Sequence, residues 1–121
     1  QPGRGWVVVL AKSLEPDAIV DALEAGRFYS SSGVSLKSVR FREGTLRVEV
    51  QAEADVQYQI QFIGTNRDFD QASRPATDKA EEAETLTRVY SEQVGKVFAT
   101  AAGPVAEYRV TGQELYVRAV V

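Results

Sequence analysis

The hydrophobic pattern of the first third of the chain changes from strand to helix and back. Residues 6–11 form a short apolar run rich in β-branched side chains, which predicts a buried strand. In residues 14–26, Ile19 and Leu23 lie four positions apart on one face, which predicts an amphipathic helix. The aromatic run at residues 27–30 then predicts a second short strand.

The ends of this helix carry residues with special backbone preferences. Pro16 suits the first helical position, where its missing N–H costs nothing, and Gly26 suits a left-handed stop. A helix of about ten residues is marginal in water by itself. We therefore expect it to pack against other elements.

From residue 34 onward, polar and apolar residues alternate as in half-buried antiparallel strands. In residues 45–52, for example, Leu46, Val48 and Val50 lie on one face and charged or polar residues on the other. Strands are predicted at residues 34–41 (with a register break near Ser38 that indicates a β-bulge), 45–52 after a turn at Glu43 and Gly44, 56–63, 86–91, 96–102, 105–110 and 115–121.

The spacing of these strands predicts the fold class. The last two are expected to pair around the turn at residues 111–113, and residues 64–82 are predicted to be a long exposed loop, with one helical turn near residues 80–83. Six or seven short strands with regular turns predict an antiparallel β-sandwich of immunoglobulin-like type. Together with the preceding strand–helix–strand unit, the class is α+β, mainly β.

The amino-acid composition limits the catalytic groups and metal ligands that this chain can provide. The 121 residues are 44% hydrophobic and 26% charged, which is typical of a globular domain. The chain has no histidine and no cysteine, so it lacks a thiol nucleophile, an imidazole base and the usual ligands of zinc, haem and iron–sulfur clusters. We therefore expect no catalytic residues and no cofactor in this chain alone.

Charge and hydropathy limit the partners. A net charge of −3 argues against a nucleic-acid-binding protein, which needs a concentrated basic field. The longest apolar run, residues 6–11, is far shorter than the ~20 residues that span a bilayer. We therefore predict no nucleic-acid partner and no membrane span. Because the sequence contains no methionine, residue 1 is expected to be internal to a longer gene product.

A stretch near the start of the chain resembles a known family. Gly5 and Trp6 open the first strand, and residues 14–33 read LEPDAIVDALEAGRFYSSSG. Together they resemble the strand, helix and Gly-x-Phe-Tyr unit that follows the last metal-binding motif in the PHP (polymerase and histidinol phosphatase) superfamily. Residues 34–121 resemble, less specifically, the β-sandwich that trails the barrel in such proteins, with the final strand similar to residues 115–121.

The resemblance implies that catalysis and this chain belong to different domains of one protein. The family hydrolyses phosphoesters with divalent metals held by His, Asp and Glu on a distorted β/α barrel, and no such ligand can be placed on this histidine-free chain. Residues 1–33 would then be the closing unit of the barrel and residues 34–121 a β-sandwich accessory domain, expected to form one compact unit overall. Catalysis and metals would belong to an N-terminal barrel absent from this sequence.

The same resemblance predicts partners. Val7, Val9, Ile19 and Leu23 would pack against the protein's own N-terminal barrel. Without that barrel, this apolar surface is expected to dock on the sandwich or to pair between copies as a homodimer.

Two sets of polar residues are candidate sites. Asp68 and Asp70, with Asn66, Glu53 and Asp55 in nearby turns, offer oxygen ligands for calcium, but the EF-hand spacing is missing and solvated carboxylates are favoured. Residues 30–33, Ser-Ser-Ser-Gly, offer a hydroxyl nucleophile whose base would have to be one of the lysines at positions 12, 37, 79 and 96. The turn interpretation is favoured there.

Basic and aromatic residues support one alternative function. Arg40, Arg42 and Arg47 share one hairpin, but Glu43 and Glu49 are interspersed, which favours a solvated sheet face. A ligand-binding module for carbohydrate or peptide would need an exposed aromatic platform, whereas core packing is the favoured interpretation. The aromatic candidates are Trp6, Phe28, Tyr29, Tyr58, Phe62, Tyr90, Phe98, Tyr108 and Tyr116. A third interpretation is that the chain meets a separate catalytic subunit.

Overall fold

The computed structural model describes residues 4–76 and 88–121. The chain divides into two compact units, Gln1–Ser35 and Leu36–Val121. In the first unit, strand β1 (Trp6–Val9) pairs antiparallel with β2 (Phe28–Ser31), and helix α1 (Pro16–Glu24) lies between them in sequence.

Local chemistry sets the ends of α1 as expected. Pro16 occupies the first helical position, and the preceding Glu15 has an extended backbone without a side-chain cap. Gly26 has a φ of 68°, and its N–H donates to the carbonyl of Leu23 at 3.0 Å, which closes the last turn. No helix within residues 4–76 and 88–121 has the length and apolar character needed to cross a membrane.

The first unit has little core of its own. Ala22 is its one fully buried residue among those described. The strand predicted over residues 6–11 is confirmed for Trp6–Val9, but its predicted burial is wrong, because Trp6 and Val7 are 46% and 54% exposed. A two-stranded sheet and a single short helix cannot cover both faces of a strand, which explains the exposure.

The second unit contains eight strands within the described residues. They are β3 (Leu36–Arg42), β4 (Thr45–Val50), β5 (Gln59–Asn66), β6 (Ser73–Pro75), β7 (Arg88–Tyr90), β8 (Lys96–Ala102), β9 (Val105–Arg109) and β10 (Glu114–Val120). They form two three-stranded antiparallel sheets, ordered β3-β4-β9 and β10-β5-β8, and a separate β6-β7 pair.

The β3–β4 hairpin follows the sequence closely. Its register shifts between Leu36 and Ser38, which confirms the predicted irregularity near Ser38. Glu43 and Gly44 have φ values of 52° and 73°, as a tight two-residue hairpin turn with left-handed backbone requires. Glycine adopts such a conformation without steric cost, whereas glutamate does so rarely.

The two three-stranded sheets contribute to one core. Val48 and Val50 of β4, Ile60 and Phe62 of β5, and Ala106 of β9 are buried. The ring of Tyr108 on β9 stacks on Phe62 at 5.5 Å and on Phe98 of β8 at 5.9 Å, so it connects the sheets. The α+β, mainly β class is confirmed, whereas the immunoglobulin-like type stays a prediction.

Glycine is required at one position in the centre of the second sheet. A Cβ on Gly64 would lie 2.3 Å from the carbonyl oxygen of Tyr116 and 2.5 Å from the Phe98 ring. The neighbouring Thr65 is 2% exposed, and its hydroxyl donates to the Tyr116 hydroxyl at 3.3 Å and accepts from the Gly95 N–H at 3.0 Å. Strand β5 is therefore held closely between β8 and β10.

One predicted strand pairing and the start of one predicted strand are wrong. The last two strands do not pair around residues 111–113, because β9 joins β4 and β10 joins β5, so the chain changes sheets at this turn. The strand predicted at residues 56–63 begins only at Gln59, after a turn in which Asp55 has a φ of 62°. The alternating pattern therefore begins three residues before the first residue of β5.

The predicted loop over residues 64–82 is also corrected. Strand β5 continues to Asn66, and β6 pairs with β7 through Ser73 and Tyr90. The helical turn predicted near residues 80–83 lies outside the described residues.

Candidate functional site

The outer face of the β3-β4-β9 sheet collects arginine side chains. The strand register places Arg40 opposite Arg47, and Arg42 and Arg109 on either side of Thr45. Residues directly opposite one another on antiparallel strands share a face of the sheet, so these five residues share one face. We call this surface the arginine face.

A groove of about 350 Å³ runs over the arginine face. All four arginines and Thr45 line it, together with Glu43 and Glu107. Four guanidinium groups against two carboxylates leave a local surplus of positive charge on a chain whose net charge is −3.

The ion pairs on this face are unevenly distributed. Nη1 of Arg47 donates to Oε1 of Glu107 at 2.5 Å. Nε of Arg42 lies 3.7 Å from Oε1 of Glu43, and the side chains of Arg42 and Glu43 are both more than four-fifths exposed. Arg40 and Arg109 form no ion pair within the described part of the chain.

The sequence analysis predicts that Glu49 neutralises the arginines, but its carboxylate forms its shortest ion pair with a lysine. Lys37 Nζ donates to its carboxylate at 2.7 Å, whereas Arg47 lies at 4.0 Å. The hydrogen bond from Lys37 holds the pKa of Glu49 below its usual range. The sequence interpretation that Glu43 and Glu49 balance the arginines did not include Arg109, which only the pairing of β9 with β4 brings to the face.

The most strongly perturbed ionisable groups lie at the turn between β9 and β10. The carboxylate of Glu114, 8% exposed, accepts hydrogen bonds from the Tyr108 hydroxyl at 2.7 Å and from the Thr111 hydroxyl and the Thr111 and Gly112 N–H groups, each at 3.0 Å. Because the backbone N–H of Thr111 and these other donors favour the charged form, the pKa of Glu114 falls to about 2.

Tyr108 shifts in the opposite direction. Burial, followed by the hydrogen bond to Glu114, raises the pKa of the Tyr108 hydroxyl to about 12. Both groups therefore move away from neutral pH, and neither has the pKa near 7 that suits a general acid or base. Their geometry serves the turn, where a buried carboxylate satisfies four donors.

An apolar groove of about 420 Å³ lies beside this turn. Phe41, Leu46, Val110 and Leu115 line it, with Tyr116 among the remaining lining residues. Phe41 is 65% exposed and Tyr116 is 42% exposed, so both rings are accessible.

The sequence-predicted calcium ligands are not brought together. Asp68 is exposed, and the Asp70 carboxylate accepts the N–H of Ala72 at 2.9 Å, which is a local turn bond. Within residues 4–76 and 88–121, no three His, Cys, Asp or Glu residues are grouped as metal ligands.

The serine run at residues 30–33 forms a local turn. The Ser31 hydroxyl donates to the carbonyl of Val34 at 2.5 Å and accepts the N–H of Gly33 at 3.1 Å. Of the lysines offered as its base, Lys37 bonds to Glu49 instead, and Lys79 lies outside the described residues. The turn interpretation accounts for these contacts.

The first unit exposes apolar side chains both on its strand pair and on its helix. Val7, Val9 and Phe28 lie on one side of the β1-β2 pair, where Val7 is 54% and Phe28 is 47% exposed. On α1, Val20 and Leu23 are 50% and 42% exposed. We refer to these five residues, which belong to two elements of the unit, together as the apolar face of the first unit.

Comparisons with protein-family models, with curated proteins and with solved structures find no match to this chain.

Proposed function

We propose that this chain is a non-catalytic accessory domain of a PHP-type metal-dependent phosphoesterase. In this proposal, the first unit closes the catalytic barrel and the second unit is an attached β-sandwich. Metal ligands and the hydrolytic reaction belong to the barrel. The motif over residues 14–33 supports the family relationship.

The exposed apolar face of the first unit is the observation that carries the proposal. A unit of about 35 residues is below the size at which a hydrophobic core alone is usually sufficient, and disulfides, metals or association normally compensate. The chain has no cysteine to form a disulfide. Packing of Val7, Leu23 and Phe28 against another polypeptide surface would supply the missing core, as the closing unit of a barrel requires.

Hydrolysis assays test this assignment. Residues 1–121 and the complete product of the gene that encodes them are each incubated with p-nitrophenyl phosphate and Mn²⁺ or Zn²⁺. We expect metal-dependent release of phosphate from the complete product alone, and H-x-H and D-x-H motifs encoded before Gln1. Hydrolysis by residues 1–121 at a metal site of their own, or a reading frame that encodes no such region, would overturn the proposal.

The isolated chain offers a second test of the apolar face. Without the barrel, the exposed side chains of Val7, Leu23 and Phe28 are expected to be covered by pairing between copies. Sedimentation equilibrium should then show concentration-dependent association that Val7→Lys weakens, whereas Lys12→Ala, a change on an exposed residue of the same unit, leaves it unchanged. Equal association of both variants contradicts this role of the face.

A second candidate function is that of a carbohydrate- or peptide-binding module. The groove lined by Phe41, Leu115 and Tyr116 favours it, because exposed aromatic rings in an apolar concavity are typical of ligand sites. A glycan array and calorimetric titration with apolar peptides test it. Phe41→Ala should abolish any binding, whereas Tyr90→Ala, on the separate β6-β7 pair, should not. A flat response over both ligand classes removes this candidate.

A further inference from the structure

We propose that the arginine face binds a compact oxyanion with two or more negative charges, of the phosphate, diphosphate or tricarboxylate class. The inference is independent of the proposed accessory role. It depends on Arg40, Arg42, Arg47 and Arg109, which three different strands bring to one groove.

The arrangement of the arginines costs the fold stability. Arg40 and Arg47 are directly opposed on neighbouring strands, and like charges in that position repel. Glu107 pairs with Arg47 from the other side, whereas Arg40 makes no ion pair among the described residues and interacts with the Glu49 carboxylate only at longer range. An anion bound over this pair would remove the repulsion.

The geometry of the adjacent row fits an oxyanion. Neighbouring strands are about 4.8 Å apart, so the backbones of Arg42 and Arg109 are separated by roughly 10 Å, with the short side chain of Thr45 between them. The long side chains of Arg42 and Arg109 thus line two sides of the groove, and the shorter side chain of Thr45 lines it between them. Guanidinium forks bind phosphate and carboxylate oxygens in pairs, and the threonine hydroxyl supplies a further donor.

The groove limits the size and charge density of its occupant. A volume of about 350 Å³ accommodates a small molecule or its anionic group. Glu43 and Glu107 line the same groove, and the net charge of the chain is −3, so a long polyanion such as nucleic acid would meet repulsion beyond the arginines. These features favour a compact ligand over a nucleic acid.

Calorimetric titration of residues 1–121 with sodium pyrophosphate and with citrate tests the proposal, at low ionic strength and without divalent cations. We expect saturable binding of at least one of the two, and the arm that binds identifies phosphoryl or carboxylate chemistry. Arg40→Gln and Arg109→Gln should each weaken the affinity about tenfold, since each removes charge-assisted hydrogen bonds. Higher salt should weaken it further.

Arg118→Gln is the matched control, because it removes the same charge from an exposed position on β10, in the other sheet. Its affinity should stay within about twofold of the unchanged chain, as expected for a charge without direct contact to the ligand. Unfolding midpoints of all variants establish that they are folded, and Arg40→Gln should not lower the midpoint because it relieves the repulsion with Arg47. The proposal is overturned by a lack of saturable binding, by equal losses in all three variants, or by binding of single-stranded DNA in preference to both small anions.

Discussion

The buried carboxylate of Glu114 should be one of the largest single contributions to the stability of the second unit. It satisfies the hydroxyls of Tyr108 and Thr111 and the N–H groups of Thr111 and Gly112. Hydrogen bonds to a charged group contribute about 1.5–3 kcal/mol each, but Thr111 and Gly112 are exposed and can bond to water after the carboxylate is removed. The net cost of Glu114→Ala is therefore about 2–4 kcal/mol.

Two further variants separate the contributions of the Glu114 charge and of its hydrogen bond with Tyr108 to this free-energy cost. Glu114→Gln keeps one acceptor oxygen but turns an NH₂ group toward backbone donors, and we expect a loss of about 1–2 kcal/mol. Tyr108→Phe removes one hydrogen bond and keeps the ring that stacks on Phe62, so it should cost about 1 kcal/mol. Glu92→Gln, an exposed change without a hydrogen bond or ion pair in the described structure, is the control and should change stability by less than about 0.5 kcal/mol.

Urea unfolding followed by far-ultraviolet circular dichroism at several pH values measures these differences. The pKa of Glu114 is about 2 in the folded chain against an ordinary value of 4.5, so its charged form is stabilised by folding. That stability is fully present above pH 4.5 and is lost as the pH falls toward 2. The difference between the unchanged chain and Glu114→Gln should shrink over that window. A cost below about 1 kcal/mol for Glu114→Ala, or a pH-independent difference, would refute the reasoning.

Three further predictions concern other parts of the chain. Gly64→Ala should cost about 3 kcal/mol or more in urea unfolding, because the added Cβ would overlap the Tyr116 carbonyl oxygen. Leu23→Ala should cost less than about 1 kcal/mol in residues 1–121 diluted below the range of association, where Leu23 is 42% exposed, and about 2–4 kcal/mol in the complete gene product, where we propose that it is covered. Lys37→Met should raise the pKa of Glu49 toward its ordinary value, as measured by carboxyl-carbon NMR titration, because the main cause of its depression is removed.

Each of these predictions has a control and a contradicting result. Gly33→Ala, where a Cβ meets nothing within 4 Å, should be nearly neutral, and a similar cost at both glycines would contradict the overlap argument. For Leu23, the fluorescence of Trp6, the sole tryptophan, reports on the first unit, and equal costs in the two proteins would contradict its burial. For Lys37, an unchanged Glu49 pKa would show that Arg40 and Arg47 suffice to depress it.

The elements that the sequence predicts best are those determined by neighbouring residues. Pro16 and Gly26 mark the ends of α1 because their backbone preferences act locally. Glu43 and Gly44 likewise define the β3–β4 hairpin, and alternation identifies Val48 and Val50 as core residues. These features need no knowledge of the rest of the chain.

Features that depend on pairing between strands distant in sequence could not be predicted from local patterns. Residues 105–121 read as a hairpin, but the two strands belong to different sheets, and local alternation is the same in both arrangements. Arg109 lies on the arginine face only because β9 pairs with β4, so the sequence pattern alone underestimates the number of arginines on this face. Glu114 reads as an ordinary strand-end glutamate, although a glutamate three residues after Thr111 at a turn was a weak signal of a local side-chain bond.

Hydrogen exchange at the amides of α1 tests the central claim most directly, namely that another polypeptide surface covers the apolar face of the first unit. Exchange of residues 19–24 is compared between dilute residues 1–121 and the complete gene product. The account predicts that these amides exchange at least about tenfold more slowly in the complete product, because covering Leu23 and Val20 stabilises the helix against local opening. Equal exchange rates in the two proteins would contradict it.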